Sequence, residues 1–423
     1  MQSPFSQSAQ ALGVDFGTSN STVGWLRPGQ PALLPLEDGK VTLPSVVFFN
    51  YDDDLHYFGR RALADYLEGY EGRLMRSLKS LLGSSLIDGQ TEVQGKAVPF
   101  RQLLGAFIGE LRQRAERLAG RPFEAAVFGR PVHFVDDDPK ADALAETTLA
   151  ETARAVGFRE VSFQYEPIAA AFDYESTLAR EELVLIADIG GGTSDFSLVR
   201  LSPARHDRLD RLDDILANGG VHIGGTDFDK YLSLAAAMPL LGYRSRLKNN
   251  SEVPSSYYFN LATWHTINFV YSRKIWTELQ DVYRDALERD RLNRLLSLIE
   301  QRAGHWLAIQ VEEVKIALSQ ADTATLTLDR LEAGLAPLIG RELFEQATVP
   351  LVDQVAATVN SLLNQAGIKA DQVDTVFFTG GCSGVPALRH RIAAQLPQAR
   401  QVEGDLFGSI GAGLAIEAAK RYG

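Results

Sequence analysis

The chain has 423 residues, 45% of them hydrophobic, which is enough to bury a large core and implies two or more domains. A formal net charge of −12, from 42 basic against 54 acidic side chains, disfavours non-specific binding to nucleic acid or to an anionic membrane. Cys382 is the only cysteine, which excludes an intramolecular disulfide and a cysteine-based zinc site, and the seven histidines form no HExxH pattern or close cluster.

Residues 1 to 10 read as a disordered Ser- and Gln-rich tail with neither the basic nor the apolar region of a leader peptide, and no long apolar run follows. The expectation is a cytoplasmic protein without a membrane partner. From Ala11 to about Phe49 short strands alternate with turns: ALGVDF, STVGWL and, after the turn at 37 to 40, LPSVVFF. Helical periodicity then dominates, with Leu103, Phe107, Leu111 and Leu118 in one stretch, before AAVFGRPV restores a strand. The second half repeats the plan, with strands at 183 to 201, a turn NGGVHIGGTDFD from Asn218, a long helical region and the strand TVFF at 375 to 378. This alternation predicts an α/β architecture. Residues 231 to 310 read as a mainly helical insert carrying Tyr243, Tyr257, Tyr258, Phe259, Trp264, Tyr271, Trp276 and Trp306. Aromatics at such spacing favour a core; a surface for a protein partner is the alternative.

Two stretches are near copies. GVDFGTSNSTVGW from Gly13 and LIADIGGGTSDFSLV from Leu185 each run from an apolar strand through an Asp and a glycine turn into a second strand. A backbone approaches phosphate oxygens closely where no Cβ intervenes, so Gly17 belongs at the tightest point, with Thr18, Ser19 and Asn20 supplying donors. Gly190, Gly191 and Gly192, followed by Thr193, make a nest of N–H groups, and Asp15 and Asp188 bring carboxylates suited to Mg²⁺ held through water. One such turn could be an ordinary hairpin; the pair points to one phosphate chain gripped from two sides. A third turn, TGGCSGVPALRHRI from Thr379, places Gly380 and Gly381 before a helix whose first turn takes Pro386. It is either a connection or a flat surface for a base or ribose.

The ordered set GVDFGTSNS, YEPIAAA at 165, DIGGGTSD at 188, GGTDFD at 224, TGGCSG at 379 and FGSIGAGLA at 407 resembles the ATPase domain of the seventy-kilodalton heat-shock chaperones, from Leu12 to Ala419. The resemblance implies an α/β, actin-like ATPase fold: two duplicated α/β lobes, 11–182 and 183–402, around a central nucleotide cleft, with a hinge helix in 403–423 returning to the first lobe. It implies ATP or ADP with Mg²⁺. Asp15, Asp188 and Glu166 fall by the metal, and Lys79 (in KSLLG), Glu166, Asp188, Thr193 and Asp195 fall on catalytic positions. A solvated helix residue is the alternative for Lys79. Nucleotide contacts are implied for Gly17, Thr18, Ser19, Asn20, Gly190, Gly191, Gly192, Thr193, Gly224, Gly225, Glu312, Lys315, Ser319, Gly380, Gly381, Cys382 and Asp405. The small faces Ala169 to Ala171 and Gly411 to Gly413 match two crossing hinge helices.

Departures from the pattern are specific. Ile316 and Gly384 stand where the family has two adenine-flanking arginines, Cys382 replaces a serine, and Glu146 takes the place of a relay arginine after Pro131. Asp136 to Asp138 read as an extra solvated loop. The implied function is slow ATP hydrolysis driving lobe opening and closing, in a chain without a peptide-binding domain. The alternatives are a metabolite kinase of the same fold, with Asp195 or Glu166 as base, and a non-catalytic ATP-binding interaction protein.

Overall fold

The two Asp-bearing segments become the central strands of two sheets with identical wiring. A computed structural model describes residues 9–84, 86–135, 138–405 and 408–423. Its ten central strands are β1 (Ala11–Asp15), β2 (Asn20–Gly24), β3 (Thr42–Pro44), β4 (Ala125–Arg130), β5 (Glu160–Tyr165), β6 (Glu182–Ile189), β7 (Ser194–Leu201), β8 (Ile215–Val221), β9 (Thr375–Thr379) and β10 (Arg400–Glu403). The sheet orders are β5-β4-β1-β2-β3 and β10-β9-β6-β7-β8. In each, the Asp-bearing strand runs antiparallel to the next strand and parallel to the fourth. This is the actin-like α/β ATPase fold, with two duplicated lobes around a cleft. β6 is paired on both edges and packed on both faces, Leu185 and Ala187 entering one core and Val184 and Ile186 another, so the four form an unbroken buried run.

The helix Phe100–Ala119 packs Leu103, Phe107 and Leu111 into the first core. Leu118, expected with them, faces solvent, because the buried stripe continues through Ala115 instead. Ala9 and Gln10, expected in the disordered tail, are held in the fold. Ala9 is buried and its carbonyl accepts from Trp25 Nε1 at 2.8 Å, while Gln10 N donates to Gly423 O at 2.9 Å; residues 1–8, Asp136, Asp137 and Phe407 lie outside the described residues.

The LPSVVFF run is divided. Thr42–Pro44 belongs to the first central sheet, whereas Val46–Asn50 pairs with Leu55–Phe58 and Gly72–Arg76 in a separate three-stranded arm carrying the helix Gly59–Glu68. Ser45 marks the break because its polar groups are used elsewhere: its N–H donates to Ser19 O at 2.9 Å and its hydroxyl to Gly17 O at 2.7 Å. The NGGVHIGGTDFD segment also splits, its first part completing β8 and its GG pair opening the helix Gly225–Leu232. The stretch that follows is mostly helical. Tyr257 and Tyr258 are buried there, Tyr243, Tyr271, Trp276 and Trp306 pack on the same core, and Phe259 is exposed. No helix among the described residues is long and apolar enough to cross a membrane.

The last helix, Ser409–Tyr422, returns to the first lobe and lies on β1, β2 and β4. It crosses the short helix Glu166–Ala170 with no room for side chains between them: a Cβ at Gly413 would overlap the Ala169 carbonyl. Gly13 is equally constrained, since a Cβ there would run into the backbone of Leu414 and Ala415.

Candidate functional site

The two glycine turns face each other. Gly17 makes the first turn so tight that a Cβ would overlap Asn20 O, and Ser45 holds the Gly17 carbonyl. Thr18, Ser19 and Asn20 follow, half-buried, with Asn20 opening β2. In the second turn Gly190 N donates to Thr193 O at 2.9 Å. The backbone amides of Gly225 and Thr226 donate to Gly190 O and Gly191 O at 3.0 and 2.8 Å, so the GGTDFD turn is built directly on the Gly190–Gly192 nest. Asp227 fixes that junction by accepting from Gly224 N at 3.0 Å. A Cβ at Gly191 would overlap the Ser19 hydroxyl, which brings the two lobes' glycine turns into contact.

Charged groups converge beside these turns. Asp15 ends β1, Asp188 lies one residue before the end of the equivalent β6, and Asp188 registers with Asp195 across the hairpin. Lys79, on the short turn Leu78–Leu81, donates from Nζ to Glu166 Oε1 at 2.6 Å with only 13% of its side chain exposed. It is not a solvated helix residue. Burial disfavours its ammonium, but Glu166 and Asp15 outweigh that and hold its pKa above the ordinary lysine value. Burial, with the Glu166 charge, pushes Asp15 up to about 7; burial, with Asp195 and Glu166, pushes Asp188 up to about 8. Thr193 Oγ1 donates to Asp195 Oδ2 at 2.7 Å. Gly380, at φ +81°, sits against this cluster because any Cβ would overlap Asp188 Oδ1.

The raised carboxylates give a measurable pH dependence. Asp15 and Asp188 bind protons more tightly folded than unfolded, so their contribution to stability is complete below their ordinary value of 3.8 and is lost as pH rises through 7 and 8. The melting temperature of metal-free protein is expected to fall from about pH 4 to 8 and then to level off, and Asp188→Asn, which has no charge to bury, should flatten the slope. Parallel slopes in the two proteins refute this.

A second cluster lies on the second lobe. Lys315 Nζ pairs with Asp229 Oδ1 at 2.8 Å and donates to Gly225 O at 3.3 Å. Burial, only partly offset by Lys315, pushes Asp229 up to about 6, and burial raises the Cys382 thiol. Gly225 is the floor of this cluster, since a Cβ would come within 2.6 Å of Cys382 Sγ. Glu312 lies one turn before Lys315, whereas the Ser319 hydroxyl bonds back to its own helix at Lys315 O, 3.3 Å away. Ile316 is exposed, and Gly384 ends the turn that begins at the exposed Gly381. Asp405 is exposed in the loop after β10, where its carbonyl accepts from the Ser409 hydroxyl at 2.7 Å. Glu146 pairs with Arg130, which also holds Asp142 at 2.9 Å.

Ser45 escaped the sequence reading, and Asp227 and Asp229, though inside the GGTDFD motif, were given no role there. The Pro44-Ser45 break within an apolar run was a usable signal for the first, and the spacing from Gly224 to Asp227 at a helix start for the second. Nothing local singles out Asp229.

Comparison with known proteins identifies the family. The family model described as Hsp70 protein matches residues 11–104, 89–237 and 293–419, leaving most of the aromatic insert outside the match. Chaperone protein HscA homolog of Aliivibrio salmonicida is 27% identical over 96% of the chain, which covers 57% of that relative. Chaperone protein HscA of Shigella boydii serotype 18 and of Escherichia coli O17:K52:H18 are each 26% identical over 96% of the chain, covering 58% of theirs. The chain thus spans well under two thirds of the length of these curated relatives. Duplicated sheets, paired Asp-Gly-Thr turns and a family match over most of the sequence lead to one conclusion: the chain belongs to the Hsp70 family.

Proposed function

We propose that the protein binds ATP with Mg²⁺ in its interlobe cleft and hydrolyses it slowly, the lobes closing and opening with nucleotide state. The observation that carries this reading is the convergence of Asp15, Asp188, Glu166 and Lys79 beside two glycine turns in contact. Carboxylates whose pKa burial raises to about 7 and 8 are under-neutralised by Lys79 alone, which fits a divalent cation. Among the described residues no three carboxylate, imidazole or thiol groups are gathered as direct ligands, so Asp15, Asp188 and Glu166 would hold the ion through water.

Bound Mg²⁺ would neutralise charge on the phosphates. The chain's own residues supply the rest. The nest Gly190–Gly192, with Gly17, Thr18, Ser19 and Asn20, cradles the phosphate chain. Lys79, oriented by Glu166, positions the attacking water and offsets charge on the phosphoryl oxygens; Thr193 and Asp195 flank it. Gly224, Gly225, Glu312, Lys315, Ser319, Gly380, Gly381, Cys382 and Asp405 are assigned to the nucleoside side. The cytoplasm is the proposed location, and an unidentified protein is the proposed partner of the insert.

Calorimetric titration with ATP, ADP and GTP, with and without Mg²⁺, tests the reading. Saturable heat with ATP and ADP that strengthens with Mg²⁺ is expected; no heat with any nucleotide overturns it.

A further inference from the structure

Ser45 joins two parts of the first lobe that the sequence keeps apart. It stands between β3, which pairs with β2, and the arm strand Val46–Asn50, and it is wholly buried. Its hydroxyl donates to the Gly17 carbonyl at 2.7 Å. That spends its one proton, so the Ser21 hydroxyl, 2.9 Å away, is the donor of their shared bond. The Ser45 N–H donates to the Ser19 carbonyl at 2.9 Å. One buried residue thus holds the first glycine turn by two of its carbonyls. These bonds also aim the turn. A trans peptide points its C=O and N–H in opposite directions, so a Gly17 carbonyl held against Ser45 turns the Thr18 N–H away from the core. Glycine resists rotation of that peptide least, and a rotated peptide would present a carbonyl where a phosphate needs a donor.

The same residue opens the strand that sets Lys79 in place. Val46 registers with Arg76 across the arm. Ser77 follows at φ +57°, a left-handed conformation that is costly for a residue with a side chain. What comes next holds it there: Leu78 is fully buried, and Ser77 O accepts from the Ser80 N–H at 3.0 Å and from the Ser80 hydroxyl at 2.7 Å. This fixed bend delivers Lys79 to Glu166. The path from the glycine turn to the ammonium therefore runs through Gly17, Ser45, Val46, Arg76 and Ser77, within one lobe and without crossing the cleft.

We propose that Ser45 is a positioning residue for hydrolysis, its hydroxyl keeping the first glycine turn and Lys79 in one fixed register; this rests on the nucleotide reading above. Ser45→Ala removes the hydroxyl without adding volume and leaves the N–H bond to Ser19 in place. It is expected to slow single-turnover hydrolysis at saturating ATP about tenfold, the weight of one buried hydrogen bond and of the carbonyl it strands. Affinity for ATP should change only a few-fold, since the other amides of the two turns remain. In Lys79→Ala protein the same change should cost little further, because no ammonium is left to align. Ser245→Ala is the control: its buried hydroxyl donates to Gly242 O at the same 2.7 Å, in the insert. It should lose a similar amount of stability to urea with turnover unchanged.

Amide hydrogen exchange in nucleotide-free protein reads the anchor directly. Ser45→Ala should quicken exchange at residues 17–20 and 77–81 together, and Ser245→Ala at neither. Exchange unchanged in either segment of Ser45→Ala overturns the shared anchor. Turnover unchanged in Ser45→Ala, or slowed as much by it when Lys79 is already absent, overturns the positioning role, as does an equal slowing in Ser245→Ala. If the unaltered protein does not turn over ATP, the hydrolysis in the nucleotide reading fails and the positioning with it, while exchange still decides whether Ser45 anchors both segments.

Discussion

Lys79→Ala is expected to lower the rate of ATP hydrolysis by about 10² or more, the usual effect of removing a preorganised group that stabilises developing charge. The ammonium is held at one point by Glu166 at 2.6 Å, so no other cation in the cluster can take its place without rearrangement. Its loss also removes the cation that lowers the pKa values of Asp15 and Asp188, which drives both higher still. Single-turnover hydrolysis at saturating nucleotide measures the effect, and calorimetry on the same variant separates it from lost binding. The proposed role calls for a large drop in turnover with affinity changed only a few-fold. Turnover unaffected by Lys79→Ala would remove Lys79 from the chemistry. No turnover in the unaltered protein, with ATP still raising its melting temperature, would favour a non-catalytic ATP-dependent switch.

Gly413→Ala is expected to destabilise the fold by about 3 kcal/mol, and Gly413→Val by more, near the upper end for overpacking a core. The added carbon would overlap the Ala169 carbonyl, and a backbone atom cannot swing aside as a side chain can. The last helix cannot retreat either. Behind it, a Cβ at Gly13 would meet Leu414 and Ala415, and one at Gly411 would meet the Thr22 hydroxyl, so the helix is fitted tightly on both sides. Urea unfolding measures the loss, with Gly340→Ala, a position with open space around it, as control. Equal stability of the Gly413 and Gly340 variants would show that the crossing relaxes freely.

Both predictions rest on features that differ in how visible they were. The Asp15 and Asp188 turns were legible because their chemistry is local: strand, carboxylate and glycine turn lie within about ten residues of one another. Lys79 was placed only through its neighbours in KSLLG, and its 2.6 Å pairing with Glu166 joins residues far apart in the chain. Ser45 stayed hidden inside what read as one apolar strand, since its partners, the carbonyl of Gly17 and the hydroxyl of Ser21, belong to another segment. Leu118 was misplaced because its spacing from Leu111 fits the same helical stripe, yet it falls in the last turn of the helix, where it is exposed.

The sequence by itself determined the class of the fold, its duplication and the residues of the two glycine turns, because strand periodicity and glycine turns are set by local backbone preferences. Tertiary structure alone decided which charges meet. Whether Asp15 and Asp188 sit near 4 or are raised to about 7 and 8 depends on burial and on neighbours from both lobes. The same holds for the Tyr66–His305 bond, which joins an arm of one lobe to an insert of the other. Such long-range pairings carry no local signature, since they follow from how the two lobes close on each other.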